Sequence, residues 1–293
     1  MVCVDAPGGG RTVLVIGGCS AAQGFLADAH ALDCRTWTWA ACASNEHAPT
    51  PRDKLSAVAF GDRVLIFGGF GPQDAAAAGS DSSEGEEEAA ADEEAADEEE
   101  EEGGEDAGEA ASFTWFNDLR VLQRESGAWA WGAPATQGEA PSARAAHGAA
   151  AVGGQMLVFG GRDAGGRTND TYQLDVETLS WTRVAAEAPA PAARSFHTLA
   201  AVGGPGAVCF GGIGSDGAQL DSMEVLDMRD AAVWVQPQER AGQWPPTRAA
   251  AAVAMLGARL VVVSTGATDG QPCACTVLEC GEVQKALLAA KSA

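Results

Sequence analysis

Cysteine thiols are the first residues of this sequence that could hold a metal ion. Eight cysteines are present, and Cys273 and Cys275 stand two residues apart, with Cys280 close behind. Because alternate residues of a strand point to one face, two thiolates at this spacing could bind one ion. No second pair at zinc-ligand spacing completes a tetrahedral site. We therefore expect no metal site, and we expect the cysteines to serve as small apolar residues in a reducing compartment.

Histidines are the next residues that could do chemistry. Two of the four, His147 and His197, each stand three residues after an arginine, Arg144 and Arg194. This recurrence at one position of a repeated pattern indicates packing or a hydrogen bond inside each repeat. No Ser/His/Asp arrangement, phosphate-binding glycine loop or carboxylate pair in an apolar run accompanies them. The sequence predicts neither a catalytic residue nor a cofactor.

The repeated pattern is most visible where a short apolar run ends in a Gly-Gly pair. The four pairs are Gly17-Gly18, Gly68-Gly69, Gly160-Gly161 and Gly211-Gly212. The first two pairs are 51 residues apart, as are the last two, whereas the middle gap is 92 residues. A period near 50 residues indicates one supersecondary unit that is repeated, with an insertion in the middle.

Each Gly-Gly pair sits in the same surroundings. A proline-containing loop with an arginine precedes it, and a tryptophan follows it. The arginines are Arg52, Arg144, Arg194 and Arg248, and the tryptophans are Trp37, Trp129, Trp181 and Trp234. The runs and turns between them predict four short strands per unit. We expect the glycines to permit a sharp turn near a crowded axis, and each tryptophan to fill the wedge against a neighbouring sheet.

These features, together with Asn169-Asp170 and Leu174-Asp175 in the third unit, resemble the kelch repeat family. The resemblance implies an all-β fold, a β-propeller of four-stranded blades arranged around a channel. In its long repeats the chain is similar to Rab-effector and cell-polarity kelch proteins. Fold alone does not fix function, so that similarity is one of architecture.

About five blades are expected, of which the last is degenerate because its Gly-Gly pair is incomplete. Their approximate bounds are 1–44, 52–133, 144–186, 194–238 and 248–283, and residues 284–293 form a carboxyl-terminal tail. The segment Val2-Cys3-Val4 is expected either as the inner strand of the first blade or as an outer strand that completes the last one. The sequence leaves these alternatives open, and with them whether the ring closes.

Two enzyme classes with related propellers require residues that can be checked. A copper-radical oxidase needs several tyrosines, and this chain has one, Tyr172, so that class is excluded. Nitrile-specifier proteins resemble the chain in repeat style and use an iron site with an acidic residue four positions before a histidine. Leu26, Ala43, Ala143 and Ala193 occupy those positions here. An iron-dependent enzyme of this kind remains the alternative to a binding protein.

An acidic stretch, residues 74–112, interrupts the second blade. It holds 18 of the 41 acidic residues and no lysine or arginine, so the rest of the chain accounts for only −5 of the net charge of −23. Such a composition predicts a disordered insert, here in the loop between the second and third strands. That loop shares a face with the four repeat arginines. Either the insert folds over an arginine ring and competes with an acidic ligand, or it is solvated and the arginines cap local carbonyl groups.

The functional expectation is a non-enzymatic scaffold whose loops bind a protein partner. The acidic insert favours a partner with a basic segment, whereas nucleic-acid binding would require basic patches that the sequence does not have. The sequence contains no run of 18 apolar residues, so it predicts no segment that inserts into a membrane. We expect a cytoplasmic protein, with the nucleus as the alternative.

Overall fold

The computed structural model describes residues 1–6, 8–73, 112–185, 190–202, 204–229 and 232–236, and the strand backbone at 252–256, 259–264 and 274–279. Every regular element in this part of the chain is a β-strand. The all-β prediction is therefore confirmed. The predicted insert, apart from Ser112, lies outside the described residues, as do Arg248 and the predicted tail.

Sheet 1 consists of four antiparallel strands in chain order: β1 (Val2–Ala6), β2 (Gly10–Ser20), β3 (Gly24–Asp33) and β4 (Thr38–Ala41). Alternation along β2 gives the sheet two faces, and Thr12, Leu14 and Ile16 are buried on one of them. Because Val2-Cys3-Val4 pair with β2, they form the first strand of this sheet. The first of the two alternatives for this segment is thus the one found.

Sheet 2 contains a hairpin extension between its second and third strands. Its elements are β5 (Ser56–Phe60), β6 (Arg63–Phe67), β7 (Phe70–Pro72), β8 (Phe113–Trp115), β9 (Leu119–Glu125) and β10 (Ala128–Gly132). The strands β5, β6, β9 and β10 form the four-stranded sheet, and β7 pairs with β8 beyond it. Residues 74–111 follow β7 along the chain and precede β8.

Sheets 3 and 4 repeat the four-stranded plan with short additions. Sheet 3 holds β11 (Gln137–Gly138), β12 (Gly148–Val152), β13 (Gln155–Asp163), β14 (Gly166–Asp175) and β15 (Ser180–Arg183). Next come β16 (Arg194–Ser195), β17 (Thr198–Ala201), β18 (Gly206–Phe210), β19 (Ile213–Gly214), β20 (Met223–Asp227) and β21 (Val233–Val235). Sheet 4 is β17, β18, β20 and β21, while β16 pairs with β19 beside it.

A fifth, three-stranded sheet ends the described chain. It is formed by β22 (Ala252–Leu256), β23 (Arg259–Ser264) and β24 (Ala274–Glu279). One edge strand of each sheet lies beside that of the next sheet, in the order β1, β5, β12, β17 and β22, and in sheets 1, 2, 4 and 5 this is the first strand. Sheets that share one inner row of edge strands are the blades of a β-propeller, so the propeller prediction is confirmed with four four-stranded blades and a reduced fifth.

Aromatic side chains join successive blades. Trp181 of sheet 3 packs on Phe67 of sheet 2 with ring centroids 5.0 Å apart, and Trp234 of sheet 4 packs on Phe159 of sheet 3 at 4.7 Å. Each phenylalanine is the residue directly before a Gly-Gly pair. The repeat tryptophan of one blade therefore covers the end of the central apolar strand in the preceding blade.

Strand register identifies the equivalent tryptophan in each of sheets 1 to 4. The cross-strand pairs are Leu32 with Trp39, Leu122 with Trp131, Leu174 with Trp181 and Leu226 with Trp234. The equivalent residues in sheets 1 and 2 are therefore Trp39 and Trp131, two positions after the predicted Trp37 and Trp129. Trp37 lies in the β3–β4 turn with a φ of 58° and is 76% exposed. Trp129 is buried beside Trp131.

Candidate functional site

The repeat arginines form a buried layer rather than an open ring of charge. Arg52, Arg144 and Arg194 are 2%, 0% and 1% exposed, which places them among the most buried large side chains of the described residues. An acidic ligand has no access to guanidinium groups at this depth. The predicted binding role of these three arginines is therefore corrected to a structural one, and Arg248 lies outside the described residues.

Each guanidinium group makes the same hydrogen bonds inside its own blade. The Nε of Arg144 donates to the carbonyl of Ser142 at 3.1 Å, and its Nη1 donates to the carbonyl of Gly160 at 2.9 Å. The corresponding acceptors are Thr50 and Gly68 for Arg52, and Ala192 and Gly211 for Arg194. The arginine thus ties the entry loop of its blade to the first glycine of the Gly-Gly pair.

A carboxylate neutralises each buried arginine. Asp170 pairs with Arg144 through both oxygens, at 2.6 and 3.0 Å. Asp118 pairs in the same way with Arg52, and Glu224 pairs with Arg194. Burial by itself raises the pKa of Asp170, but the hydrogen bond and charge of Arg144 outweigh it and hold that pKa below its ordinary value. Burial alone would also raise the pKa of Asp118, but the hydrogen bond and charge of Arg52 outweigh it and hold that pKa below its ordinary value.

The Gly-Gly pairs let the arginine backbone of the next blade approach closely. Gly68 has a φ of 67°, and a Cβ atom there would lie 2.6 Å from the carbonyl oxygen of Arg144. The amide of Gly69 donates to that same oxygen at 2.9 Å. Gly18 makes the equivalent bond to the carbonyl of Arg52. Side chain and backbone of one arginine therefore bind two successive blades, which explains why arginine and Gly-Gly recur together.

The repeat histidines are buried at the same blade boundaries. The Nε2 of His147 lies 2.7 Å from the hydroxyl of Ser56 in the preceding blade, whereas His197 faces Gly148, which has no side chain at that position. Burial, reinforced by the charge of the nearby arginine, lowers the pKa of each histidine to about 3. Both are neutral near pH 7 and are enclosed by protein, so neither can reach a substrate. The recurrence predicted packing or a hydrogen bond inside each repeat, whereas these contacts lie between successive blades.

Partly exposed aromatic side chains gather on the face that carries the hairpin β7–β8. Phe70 and Trp115 pair across the hairpin with ring centroids 5.3 Å apart, and Phe113 stacks on Phe70 at 5.9 Å. Buried Phe25 of sheet 1 supports Phe113 from below at 5.6 Å. The Nζ of Lys54 lies 5.9 Å from the centre of the Phe70 ring. We call Phe70, Phe113 and Trp115 the hairpin aromatic cluster.

The neighbouring β13–β14 hairpin gives this face polar character. Arg162 and Arg167 lie opposite each other on its two strands. The Nε of Arg167 donates to the hydroxyl of Ser195 in the next blade at 3.0 Å. Asp163 accepts a hydrogen bond from Ser142 at 2.7 Å. The face therefore combines a rigid aromatic cluster with charged groups of both signs, a composition suited to contact with another protein.

The sequence analysis chose the repeat arginines as binding residues, and the three that the structure describes, Arg52, Arg144 and Arg194, are buried. It missed the hairpin aromatic cluster because Phe70 and Phe113 are separated by 42 residues that include the acidic insert. The available signal was the position of aromatic residues on both sides of that insert. It also missed the carboxylate partners, although Asn117-Asp118 and Asn169-Asp170 recur at one repeat position.

Among the described residues, no group of three or more His, Cys, Asp and Glu side chains is arranged to hold a metal ion. The described part of the chain also has no helix long and apolar enough to cross a membrane.

Comparison with known proteins identifies the repeats. A family model described as the KLHDC2/KLHL20/DRC7 Kelch-repeats domain matches residues 103–271, and a Kelch motif model matches residues 3–46. Kelch domain-containing protein 1 of Mus musculus is 32% identical over 49% of this chain and 31% of its own length. Kelch domain-containing protein 2 of Bos taurus is 28% identical over 60% and 38%.

The match to an Arabidopsis thaliana protein, acyl-CoA-binding domain-containing protein 4, is 28% identical over 58% of this chain but only 20% of that protein. The chain thus spans between a fifth and two fifths of these relatives. Because the first family model covers more than half of the chain, the chain belongs to the kelch repeat family, as the sequence predicted. The comparisons give no support to the iron-dependent alternative.

Proposed function

We propose that this kelch-repeat protein is a non-enzymatic scaffold that binds a protein partner through the face of its β7–β8 hairpin. Kelch domain proteins are in general protein-interaction scaffolds. The observation that carries the proposal for this chain is the hairpin aromatic cluster. Its three rings are only partly buried, although they rest on a packed sheet.

Rigid aromatic anchors are the side chains that contribute most to protein interfaces. Trp and Tyr dominate the energetically important positions, because a large ring loses little conformational freedom when it is buried. Here the ring of Phe113 is held between Phe25 and Phe70, so its position is set before a partner arrives. A partner that buries this partly exposed ring would then gain affinity without the cost of first ordering the ring.

The partner favoured by the charges is a protein with a basic segment. The acidic stretch of 18 carboxylates precedes β8 directly in the sequence. Attraction between such a stretch and Lys or Arg side chains raises the association rate and weakens with salt, since screening acts over about 8 Å at physiological ionic strength. The aromatic cluster would then supply affinity that does not depend on salt.

Comparison of two tryptophan variants tests this proposal. Trp115→Ala removes a ring of the cluster, whereas Trp37→Ala removes an exposed ring from the β3–β4 turn at the opposite end of the blades. Proteins captured by the full-length chain through proximity labelling should be lost with Trp115→Ala and kept with Trp37→Ala. Equal loss, or equal retention, in both variants would show that the hairpin face does not select the partner.

A further inference from the structure

The outer edge of sheet 1 is formed by β4. This strand is the last of the four, and among the described residues no further strand pairs with its outer side. All four of its residues are exposed, and Trp39 is 54% exposed. The amide of Cys42 donates inward, to the carbonyl of Ala29. Because amide directions alternate along a strand, the amides of Ala41 and Trp39 point outward, where a further strand would pair with them.

In sheet 3 a short segment covers the corresponding edge. The strand β11 pairs in parallel with β15, and Gly138 lies opposite Trp181. The amide of Gln137 donates to the carbonyl of Leu179 at 2.9 Å, and the amide of Glu139 donates to the carbonyl of Trp181 at 3.2 Å. Backbone groups supply all of these bonds. A strand of two bridge pairs is therefore sufficient to cover the outer edge of a blade.

Sheet 2 is covered at the same acceptor. The side-chain amide of Asn45 donates to the carbonyl of Trp131, the register equivalent of Trp181, at 3.0 Å. Three positions after Asn45, Ala48 packs against the cluster that contains Trp131. Ala140 of the segment that covers sheet 3 packs in the same way against the cluster that contains Trp181. Each covering segment thus combines an amide donor with a small apolar residue beside the indole.

The β3–β4 turn reproduces the β14–β15 turn. In each turn the carboxylate of the leading aspartate, Asp33 or Asp175, accepts hydrogen bonds from two backbone amides. Each turn ends on a residue with positive φ, which is 58° at Trp37 and 54° at Leu179. The carbonyl groups of Trp37 and Trp39 therefore correspond to the two that accept hydrogen bonds from β11 in sheet 3.

The contact in sheet 3 defines the chemistry of an occupant. Gly138 has a φ of 79°, and a Cβ atom there would lie 2.1 Å from the carbonyl oxygen of Trp181. A side chain at this position would therefore prevent the close approach of the two backbones. Ala140, two positions later, is small enough to pack beside the indole. An occupant of the β4 edge should accordingly be an extended segment with the pattern Gly-x-Ala.

Charged groups of sheet 1 are paired with one another. Asp5 lies 3.9 Å from Arg11, and Asp28 lies 2.8 Å from His30. A segment that binds β4 through its backbone therefore needs no particular charge, and its binding should change little with salt. This requirement differs from that of the hairpin face, for which the proposed partner is basic.

From these contacts we infer that the outer edge of β4 is a strand-addition site for an extended Gly-x-Ala segment of a partner protein. The segment lies parallel to β4 with its glycine beside Trp39, and its amides donate to the carbonyl groups of Trp37 and Trp39. Trp37 contributes its backbone, so its ring is not required. Main-chain hydrogen bonds at the edge supply affinity, and the need for glycine supplies specificity.

Amide exchange of the full chain, followed by NMR, tests the inference. The probe is a synthetic peptide with the sequence of residues 136–141, Thr-Gln-Gly-Glu-Ala-Pro. At about ten times its dissociation constant, the peptide should slow exchange of the Trp39 amide about tenfold, because the unbound site alone exchanges. The Trp181 amide is the internal control and should not change, since its strand is already paired with β11.

The same peptide with Gly138→Val is the matched control. Its larger apolar side chain would favour non-specific hydrophobic binding, whereas strand addition beside Trp39 excludes it. We expect the glycine peptide alone to protect Trp39, at low and at high salt. Equal protection by both peptides, or protection by neither, would overturn the inference. A Trp39 amide that exchanges as slowly as that of Trp181 in the free chain would also overturn it, because the edge would then already be covered.

Discussion

Replacing Trp181 with alanine removes the side chain that should contribute most to the contact between sheets 2 and 3. The indole is 2% exposed and lies against Phe67, with the ring centroids 5.0 Å apart. Large-to-small replacement of a buried aromatic residue costs about 3–5 kcal/mol, because apolar burial is lost and a cavity remains. The aromatic pair itself accounts for about 0.5–1.5 kcal/mol of this.

Thermal unfolding followed by circular dichroism measures the loss. For a protein of this size each kcal/mol shifts Tm by roughly 2–4 °C, so Trp181→Ala should lower Tm by about 6–20 °C. Trp37→Ala is the matched control, because that tryptophan is 76% exposed and its removal should change stability by less than about 0.5 kcal/mol. Equal Tm values for Trp181→Ala and the unmodified protein would refute the idea that these indoles join the blades.

Three further predictions concern the arginine layer and its surroundings. Arg144→Ala leaves Asp170 buried without its partner and should lower the free energy of unfolding, measured with urea, by about 3–5 kcal/mol. The control Arg63→Ala breaks an exposed pair with Glu177 and should lower it by less than about 1 kcal/mol. Similar losses in the two variants would contradict the proposed role of burial. Gly68→Ala should destabilise by more than about 1 kcal/mol, because the φ of 67° and the Arg144 carbonyl at 2.6 Å both oppose a side chain, while Gly127→Ala has open space around its Cβ and should show only the cost of its φ of 89°. Acid should destabilise the fold. The pKa values of His147 and His197 are lowered from 6.5 to about 3 in the folded protein, so the unfolded chain binds their protons first as the pH falls. Their contribution to the free energy of unfolding is therefore fully present above pH 6.5 and is lost as the pH falls toward 3. A urea midpoint that stays constant between pH 7 and pH 4 would contradict this.

Much of the fold could be predicted from the sequence because the Gly-Gly pairs mark structural events. Each pair ends the central apolar strand of a blade, and register shifts at Gly17-Gly18 and Gly160-Gly161 show a β-bulge there. Only glycine combines the positive φ with close approach of the next blade. The repeat period, the four strands and the blade plan follow from this local requirement.

The position of the repeat tryptophan was less predictable, since it depends on the length of a turn. In sheet 1 the carboxylate of Asp33 accepts hydrogen bonds from the amides of Arg35 and Thr36, and the turn extends to Trp37 before β4 begins. The tryptophan opposite Leu32 is consequently Trp39. With two tryptophans in alternate positions, sequence spacing alone cannot choose between them.

The environment of the arginines was not predictable from spacing either. An arginine in a proline-containing loop is usually exposed, and the sequence does not show that Asp118, Asp170 and Glu224 reach it from the third strand region of the same blade. Burial follows from that pairing, since an unpaired guanidinium group would be too costly to bury. The binding surface that we propose therefore consists of side chains outside the repeat, the hairpin aromatic cluster.

Hydrogen exchange of the full-length chain, alone and with a captured partner, tests the scaffold proposal most directly. Partner binding should slow exchange in the segments that form the hairpin face, residues 70–73 and 112–116, and leave the turns at residues 61–63 and 153–155 at the opposite end of the blades unchanged. Protection confined to those opposite turns, with no change around Trp115, would contradict the assignment of partner binding to the hairpin face.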